Sequence, residues 1–280
     1  MVIKVNDEKE RFLERIIGIS DPWYIDIIRE DKIKKEIHIY LSFPKGTKFK
    51  CPNCGKECSA HDTYKKTWRD LDIHSYKTYI HAKIPKIKCC NGIPTINPPW
   101  AREYSHFTLL MEDNILKLAK MSTISKVANY IKEHDTRIWR VIIYWVNKCR
   151  EKADFSKVVN IGIDETSKKG HKYITSFVNL DTRRVMYVAD GKDHTTVLEF
   201  TTDFKEHKGI SENIINVTSD MSLAFEKGIK ECFKNATIII DKFHVIDNIS
   251  EGINKVRIAE SKDNDILKKQ NIFGLKMILT

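Results

Sequence analysis

Three carboxylates in the second half of the chain follow apolar segments that are typical of buried strands. Asp164 ends the segment "VVNIGID", Asp220 ends "IINVTSD", and Asp241 ends "ATIIID". If the first two strands lie side by side, Asp164 and Asp220 converge and can hold hard divalent cations, which prefer oxygen ligands. Two such cations about 4 Å apart activate a water or 3′-hydroxyl nucleophile and stabilise the leaving oxygen of a phosphodiester. Spacing alone does not decide this, since aspartate is also common in turns at strand ends.

Five of the seven cysteines lie within residues 51–90. In an intracellular chain this clustering is typical of a metal site rather than of disulfides. Cys51-x-x-Cys54-Gly offers two thiolates from one tight turn, in which glycine permits the left-handed bend. A tetrahedral zinc needs further ligands, and Cys89-Cys90 follows the intervening hairpin as in a zinc ribbon.

The sequence leaves the fourth zinc ligand open. Adjacent cysteines do not easily both reach one ion, so Cys58 and His61 are alternatives to Cys90. Without metal, the same cysteines would be free buried thiols. The pattern favours a structural zinc on the first pair and Cys89, with no open coordination position and therefore no chemistry of its own.

Residues 122–146, "STISKVANYIKEHDTRIWRVIIYWV", predict two short helices around a turn at Lys132–Asp135. The second helix is expected to begin after Asp135 or Thr136, both good N-cap residues. Its first turn presents Arg137 and Arg140, and its apolar side chains can pack inward: Ile138, Val141, Ile142 and Trp145. This is the arrangement of a helix-turn-helix, in which the N-terminal part of the second helix enters the major groove. The alternative is an ordinary helical bundle between two domains.

The hydrophobic period changes after residue 156. The segments "VVNIGID", "HKYITSFVNL" and "RRVMYVAD" predict three antiparallel strands separated by turns. Alternating segments follow them: a helix near 194–207, a strand at 214–219, a helix at 222–233, a strand at 237–241 and a helix from 243. This order predicts a mixed α/β sheet.

The first hundred residues read as a smaller β segment. "EKERFLERIIGI" predicts a short helix, "KEIHIYLSF" a strand, and residues 62–88 alternate like a β-hairpin. "NGIPTINPPWAREYSHFT" is rich in Pro, Gly and Asn and marks a domain boundary. Residues 108–150 then turn helical.

Length, charge and hydropathy limit the classes of protein to which the chain can belong. A chain of 280 residues fits two or three units, and a net charge of +10 with a pI near 9.1 favours polyanionic partners. A lysine-rich protein that does not bind DNA would have the same net charge. No apolar segment approaches the ~20 residues that span a bilayer. The N-terminus lacks the apolar core of a signal peptide, so we expect a cytoplasmic protein with no membrane association.

Together, these segments resemble the insertion-sequence transposases of the ISL-three family. The resemblance runs in the family's order over nearly the whole chain, through "CPNCG", "TWRDLDIHSYKTYIHAKIPKIKC", "PPWAREYSHFT", "EHDTRIWRV", "GIDETSKKGHKYITSFVNLD", "TSDMSLAFEKGIKECFKNA" and "IIDKFHVI". It implies a zinc-binding segment in residues 1–100, a helix-turn-helix in 101–153 and a ribonuclease-H-like α/β catalytic core in 154–280.

The resemblance also assigns roles to the carboxylates. It implies an Asp-Asp-Glu triad with Asp164 as the first acid, Asp220 as the second and Mg²⁺ as the catalytic cofactor. Asp241-x-x-His244 corresponds to a Cys/Asp-x-x-His signature of several related transposase groups. We expect these two residues to support the active site or to be structural.

Two features depart from the family pattern. Cys89 and Cys90 are adjacent, whereas the family usually separates these ligands. The third acid also has no clear counterpart, because relatives continue well beyond the point where this chain ends. Glu260 comes too early in the topology, and Glu165 points to the opposite sheet face from Asp164. We therefore expect an incomplete mixed sheet in a C-terminally truncated, inactive transposase.

Two functions from different classes follow. The first is a DNA transposase that binds terminal inverted repeats of double-stranded DNA as a homo-oligomer and catalyses metal-dependent cleavage and strand transfer. The second is a non-catalytic DNA-binding protein that occupies element ends and represses transposition. A zinc-ribbon transcription regulator is a weaker third class, because it has no need of the segments around Asp164 and Asp220.

Overall fold

The computed structural model describes residues 2–4, 8–89, 92–170 and 172–262. The chain forms two compact units, Met1–Lys148 and Cys149–Thr280. Among the helices within these described ranges, none has the length and apolar character needed to span a bilayer.

A six-stranded mixed sheet forms most of the first unit. Its strands, with one helix between the first two, are β1 (Val2–Lys4), α1 (Glu8–Ile17), β2 (Tyr24–Asp31), β3 (Glu36–Ser42), β4 (Lys48–Lys50), β5 (Glu57–Ile73) and β6 (Tyr76–Ile87). Their order in the sheet is β1-β2-β3-β6-β5-β4, with β3 and β6 parallel and the other pairs antiparallel. The predicted strand and hairpin are present as β3 and β5–β6, within a sheet larger than the sequence indicated.

One face of this sheet covers a hydrophobic core. Alternate residues of the strands point into it, including Ile39, Trp68 and Ile80, which are all but inaccessible to solvent. The ring of Trp23 packs edge-on against that of Trp100, at 5.0 Å between ring centroids. The segment around Trp100 therefore closes the core of the sheet.

Three helices follow: α2 (Leu109–Met121), α3 (Ile124–Ile131) and α4 (Asp135–Arg150). Lys132 caps the C-terminal end of α3: it adopts a left-handed conformation and donates its N–H to the carbonyls of Ala128 and Asn129. The turn predicted at 132–135 is present, but α4 already begins at Asp135. The side chain of His134, just before it, accepts the Thr136 N–H at 3.3 Å. This bond satisfies one of the first amide groups of α4, which have no partner within the helix.

A buried carboxylate ties the helices to the preceding loop. Glu112 is fully buried, and its carboxylate accepts hydrogen bonds from Ser105 Oγ at 2.5 Å and Trp145 Nε1 at 2.7 Å. Arg102 pairs with the same carboxylate at 2.9 Å and stacks on the ring of Tyr144. The segment "PPWAREYSHFT" is therefore structural, since a buried charge requires this degree of compensation.

The second unit is a five-stranded mixed sheet with helices. Its elements are β7 (Asn160–Lys168), β8 (Lys172–Asn179), β9 (Arg184–Asp190), α5 (His194–Glu206), β10 (Asn216–Ser219), α6 (Leu223–Cys232), β11 (Thr237–Ile240) and α7 (Lys242–Glu260). The strand order is β11-β10-β7-β8-β9. β7, β8 and β9 are antiparallel, and β10 and β11 add in parallel on the other side of β7. The predicted element order is confirmed.

Helices α5 and α6 cover one face of this sheet. Phe200 and Phe225 are fully buried there against Ile161, Phe177 and Val217. Because side chains alternate along a strand, the neighbours of these residues point to the opposite face. That opposite face bears the carboxylates.

Candidate active site and zinc site

The strand register aligns Asp164 with Asp220. β10 and β7 pair in parallel as Asn216 with Asn160 and as Thr218 with Gly162. Two residues further along each strand, the same register puts Asp220 opposite Asp164. Both therefore lie at the carboxyl end of this strand pair.

The register extends to a third aspartate. β10 pairs with β11 in parallel up to Ser219 with Ile240. The next residues are Asp220 and Asp241, and the Asp241 N–H still donates to the Ser219 carbonyl at 2.9 Å. We call Asp164, Asp220 and Asp241 the aspartate row. Asp164 lies within β7, and Asp220 and Asp241 are the residues that directly follow β10 and β11.

The aspartate row lies on the face that α5 and α6 leave uncovered. Ile163 and Ser219, which precede two of the aspartates, are buried on the helix-covered side. Asp164 is exposed and Asp220 is half-buried. The β7–β10 pairing stops at Gly162 and Thr218, while β7 continues to Lys168. This is also the point where the chain reverses its direction across the sheet, which is where open α/β sheets bind ligands.

The donor chemistry of the row fits a hard divalent cation. Asp220 Oδ1 accepts the Ser222 N–H at 3.0 Å, and Asp241 Oδ1 accepts the Phe243 N–H at 2.9 Å as the N-cap of α7. Each of these bonds fixes one carboxylate oxygen and orients the other. Two strand spacings separate the outer members by about 10 Å, with Asp220 between them. The three carboxylates therefore lie in a line along one edge of the sheet and do not surround a single ion position.

Neither glutamate considered as a third acid reaches the row. Glu165 lies beside Asp164 on β7 but on the face that α5 and α6 cover, opposite the buried Thr175. Glu260 is the last residue of α7. At 1.5 Å per residue it is about 27 Å from the start of that helix. His244 is half-buried in the first turn of α7 and lies next to Asp241.

Three of the four predicted zinc ligands converge. The sulfur atoms of Cys51, Cys54 and Cys89 lie within 4.8 Å of one another, with 3.3 Å between those of Cys54 and Cys89. The turn is held by the Gly55 N–H, which donates to the Cys51 carbonyl at 2.9 Å, and Gly55 has φ +74°. A hydrogen bond from the Asn53 backbone N–H lowers the pKa of the Cys51 thiol, which favours the thiolate that zinc requires.

The fourth ligand is not among the converging groups of the described residues. Cys58 and His61 stand outside the cluster, since only three cysteine sulfurs converge there. Cys58 instead packs against the core of the first unit. Cys90 lies outside the described residues.

Arg137 and Arg140, in the N-terminal part of α4, differ in their surroundings. Arg137 pairs with Glu133 and lies over the ring of Phe107, at 4.6 Å from its centroid. Arg140 is exposed, as are Thr136 and Trp139. The sequence did not reveal the Glu133 pair, although the i, i+4 spacing of the two charges signals it.

Three protein-family models match the chain. Residues 161–280 match a family model described as "Transposase", residues 96–146 match "Helix-turn-helix domain of transposase family ISL3", and residues 47–91 match "zinc-finger of transposase IS204/IS1001/IS1096/IS1165". The three models belong to one family and together match more than half of the chain. The chain belongs to the ISL-three family of transposases. Its second unit is the ribonuclease-H-like core of that family, and its cysteine cluster is a structural zinc ribbon.

Curated relatives of this transposase family extend beyond the matched region. The transposase for insertion sequence element IS1001 of Bordetella parapertussis is 27% identical over 81% of this chain and 56% of its own length. The transposase for IS1557 of Mycobacterium tuberculosis is 25% identical over 74% of this chain and 48% of its own. The chain thus spans about half the length of the curated relatives it matches.

Solved structures resemble the chain only remotely. The catalytic core domain of BIV integrase is 13% identical, covering 41% of this chain and 76% of its own, with a TM-score of 0.22. A TM-score this low does not bear on the fold, which rests on the strand order and the family match.

Proposed function

We propose that the chain acts in DNA transposition as the zinc-binding, DNA-binding and catalytic part of an insertion-sequence transposase. The observation that carries the proposal is the alignment of Asp164 of β7 with Asp220, which directly follows β10, just beyond the point where the parallel pairing of these strands ends, in a chain with a helix-turn-helix. The partner is double-stranded DNA at the terminal inverted repeats, bound by a homo-oligomer in the cytoplasm.

In this proposal Asp164 and Asp220 hold Mg²⁺ and are the first and second acids of the catalytic set. The bound metal supplies activation of a water or 3′-hydroxyl and stabilisation of the leaving oxygen of the phosphodiester. The Ser222 N–H holds one oxygen of Asp220, and we assign the metal to the other. Asp241 adds negative charge on the far side of Asp220, and His244 supports it from the first turn of α7.

DNA recognition is assigned to the exposed N-terminal part of α4. Arg140, Thr136 and Trp139 lie on this surface, and the first turn of a recognition helix contacts base edges. Arg137 has part of its charge engaged by Glu133, so we propose that it positions the turn and contributes less to the reading of bases.

Substitution of Arg140 tests this assignment. We expect Arg140→Ala to lower the ratio of affinities for element-end and scrambled duplexes about tenfold or more, because one good base contact is worth about 1–3 kcal/mol of discrimination. The ratio is measured by fluorescence anisotropy at constant salt. Lys148→Ala is the matched control, because this lysine is an exposed cation near the C-terminal end of the same helix. It should leave the ratio unchanged, even if binding to both duplexes weakens. An unchanged ratio in Arg140→Ala would place recognition outside α4.

A second candidate function is occupation of element ends without cleavage. It is favoured because the zinc-binding and helix-turn-helix segments have hydrophobic cores of their own within the first unit. The sheet core of the first unit and the helix core around Ile115 and Ile138 lie entirely within residues 1–148. Binding can thus be retained when catalysis is lost. A variant of the aspartate row that still represses expression from element ends would support this function.

A further inference from the structure

The face of the six-stranded sheet that points away from the core is lined with polar and aromatic side chains. The strand register brings them into rows, in which Arg29 is paired with His38, His38 with Tyr79, Tyr40 with His81, His81 with Thr67, and Lys83 with Lys65. Because residues alternate between faces, the intervening Ile39, Ile80 and Ala82 belong to the core. We call Arg29, His38, Tyr40, Lys65, Thr67, Tyr79, His81 and Lys83 the outer face.

The rings of the outer face are held side by side. Tyr40 stacks on His81 with 4.6 Å between ring centroids, and His38 stacks on Tyr79 at 5.4 Å. His38 Nδ1 and His81 Nε2 lie 2.9 Å apart in a hydrogen bond. Burial, followed by the neighbouring His38, lowers the pKa of His81 to about 4, so its imidazole is neutral at pH 7. Within each stacked pair the flat ring faces are turned toward each other, and each tyrosine ring also carries a guanidinium group, Arg29 over Tyr40 and Arg69 over Tyr79.

Two lysines face each other on this surface. Lys65 of β5 is directly opposite Lys83 of β6, and both are exposed. Like charges at opposite positions of an antiparallel pair destabilise a sheet. Arg29 adds a third exposed cation over the ring of Tyr40, whereas Asp31 and Glu36, opposite each other at the turn between β2 and β3, place negative charge beside His38. An anionic partner on this surface would offset the repulsion.

The outer face runs up to the turn of the helix-turn-helix. Lys77 Nζ at the start of β6 donates to the Lys132 carbonyl at 3.4 Å, and Arg69 Nε lies 3.7 Å from Glu133. Four residues of β5 separate Lys65 from Arg69, which corresponds to about 13 Å along the strand. A DNA duplex presents one charge per about 1.7 Å of its axis, so this length faces several phosphates.

We propose that the outer face binds the sugar–phosphate backbone of the same DNA duplex that α4 contacts. The inference rests on the proposed function, since it extends the site at the helix-turn-helix. The cations supply attraction to phosphate, and the hydroxyl groups of Tyr40 and Tyr79 donate hydrogen bonds to its oxygens, whereas the Thr67 hydroxyl is already hydrogen-bonded to His81 Nδ1 at 2.9 Å. Such contacts fix the protein on the duplex without reading its sequence. Double-stranded DNA is favoured over single strands because the faces of Tyr40 and Tyr79 are already engaged by histidine rings and guanidinium groups, whereas single-strand binding relies on free ring faces for base stacking.

The test is the salt dependence of binding by the full chain to a duplex of scrambled sequence. Each phosphate contact contributes about 0.9 to the slope of log K against log salt. Lys65→Ala combined with Lys83→Ala should therefore lower the slope by about 2. The control is Lys227→Ala with Lys234→Ala, which removes the same charge from exposed positions in the second unit. Its slope should match that of the unchanged protein.

The possible results separate the inference from the proposed function. An unchanged slope in the Lys65/Lys83 variant, with DNA still bound, overturns the outer face as a DNA surface and leaves the function of α4 intact. Binding of single-stranded RNA in preference to duplex, lost in the same variant, also overturns it. Absence of duplex binding by the unchanged protein overturns the proposed function itself.

Discussion

Cys54→Ser is expected to release the zinc and to unfold the end of the sheet that carries β4. Cys51, Cys54 and Cys89 come from segments far apart in the chain, so the ion joins the turn before β5 to the end of β6. Structural zinc contributes about 10–16 kcal/mol of apparent binding free energy in small zinc domains, comparable with the whole stability of a domain. We expect about one zinc per purified chain and less than a tenth of that in the variant, measured by mass spectrometry of the metal.

Near-ultraviolet circular dichroism reports the structural consequence. Phe49 of β4 packs against Trp23, with 6.2 Å between their ring centroids, so loss of β4 should alter the tryptophan signal. Cys149→Ser is the matched control, because this exposed cysteine lies outside the cluster. Cys58→Ser, His61→Ala and Cys90→Ser, tested singly, identify the fourth ligand. A metal-free protein that keeps the native tryptophan signal would contradict the structural role of zinc.

Asp220→Asn is expected to reduce cleavage of element ends by about three orders of magnitude in an active transposase that carries this sequence. A metal ion supplies several kcal/mol of transition-state stabilisation, and each 1.36 kcal/mol is a factor of ten in rate. Asp164→Asn should have the same effect. The rate is measured by single-turnover cleavage of labelled duplex in Mg²⁺ and in Mn²⁺, at saturating protein.

The Asp241→Asn variant separates two roles of Asp241, its negative charge and its hydrogen bond as the N-cap of α7. Asparagine caps a helix as well as aspartate does, so α7 keeps its N-terminal hydrogen bond while the row loses a charge. We expect an intermediate rate. Asp193→Asn is the control, since Asp193 caps α5 in the same way and lies outside the row. A wild-type cleavage rate for Asp241→Asn would show that this residue only caps α7. A wild-type cleavage rate for Asp220→Asn would overturn the catalytic assignment.

The order of elements in the catalytic core could be predicted from the sequence because its patterns are local. "VVNIGID" and "IINVTSD" are short apolar segments, and a helical period separates the later strands. The pairing of β7 with β10 joins residues 56 positions apart, and no local pattern encodes it. Asp241 carries the same signal as Asp220, a strand followed by an aspartate and a helix. Only the register shows that the two lie next to each other.

The first unit was harder to predict for the same reason. The parallel pairing of β3 with β6 joins segments about forty residues apart, so the large sheet could not be inferred from "KEIHIYLSF" and the hairpin alone. The zinc-binding cysteines were easier to predict, because the spacing of Cys51 and Cys54 within one turn is typical of zinc ligands. The outer face depends on which residues become neighbours across strands, which the sequence does not state.

Iron-directed cleavage of the chain tests the proposed metal site on the aspartate row most directly. Iron(II) replaces Mg²⁺ at oxygen sites and, with ascorbate and hydrogen peroxide, generates hydroxyl radicals that cut the nearest backbone. In zinc-loaded protein we predict cuts near residues 164, 220 and 241, suppressed by excess Mg²⁺ and absent in Asp220→Asn. Cuts confined to other parts of the chain, or cuts at these positions that persist in Asp220→Asn, would contradict a metal site on the row.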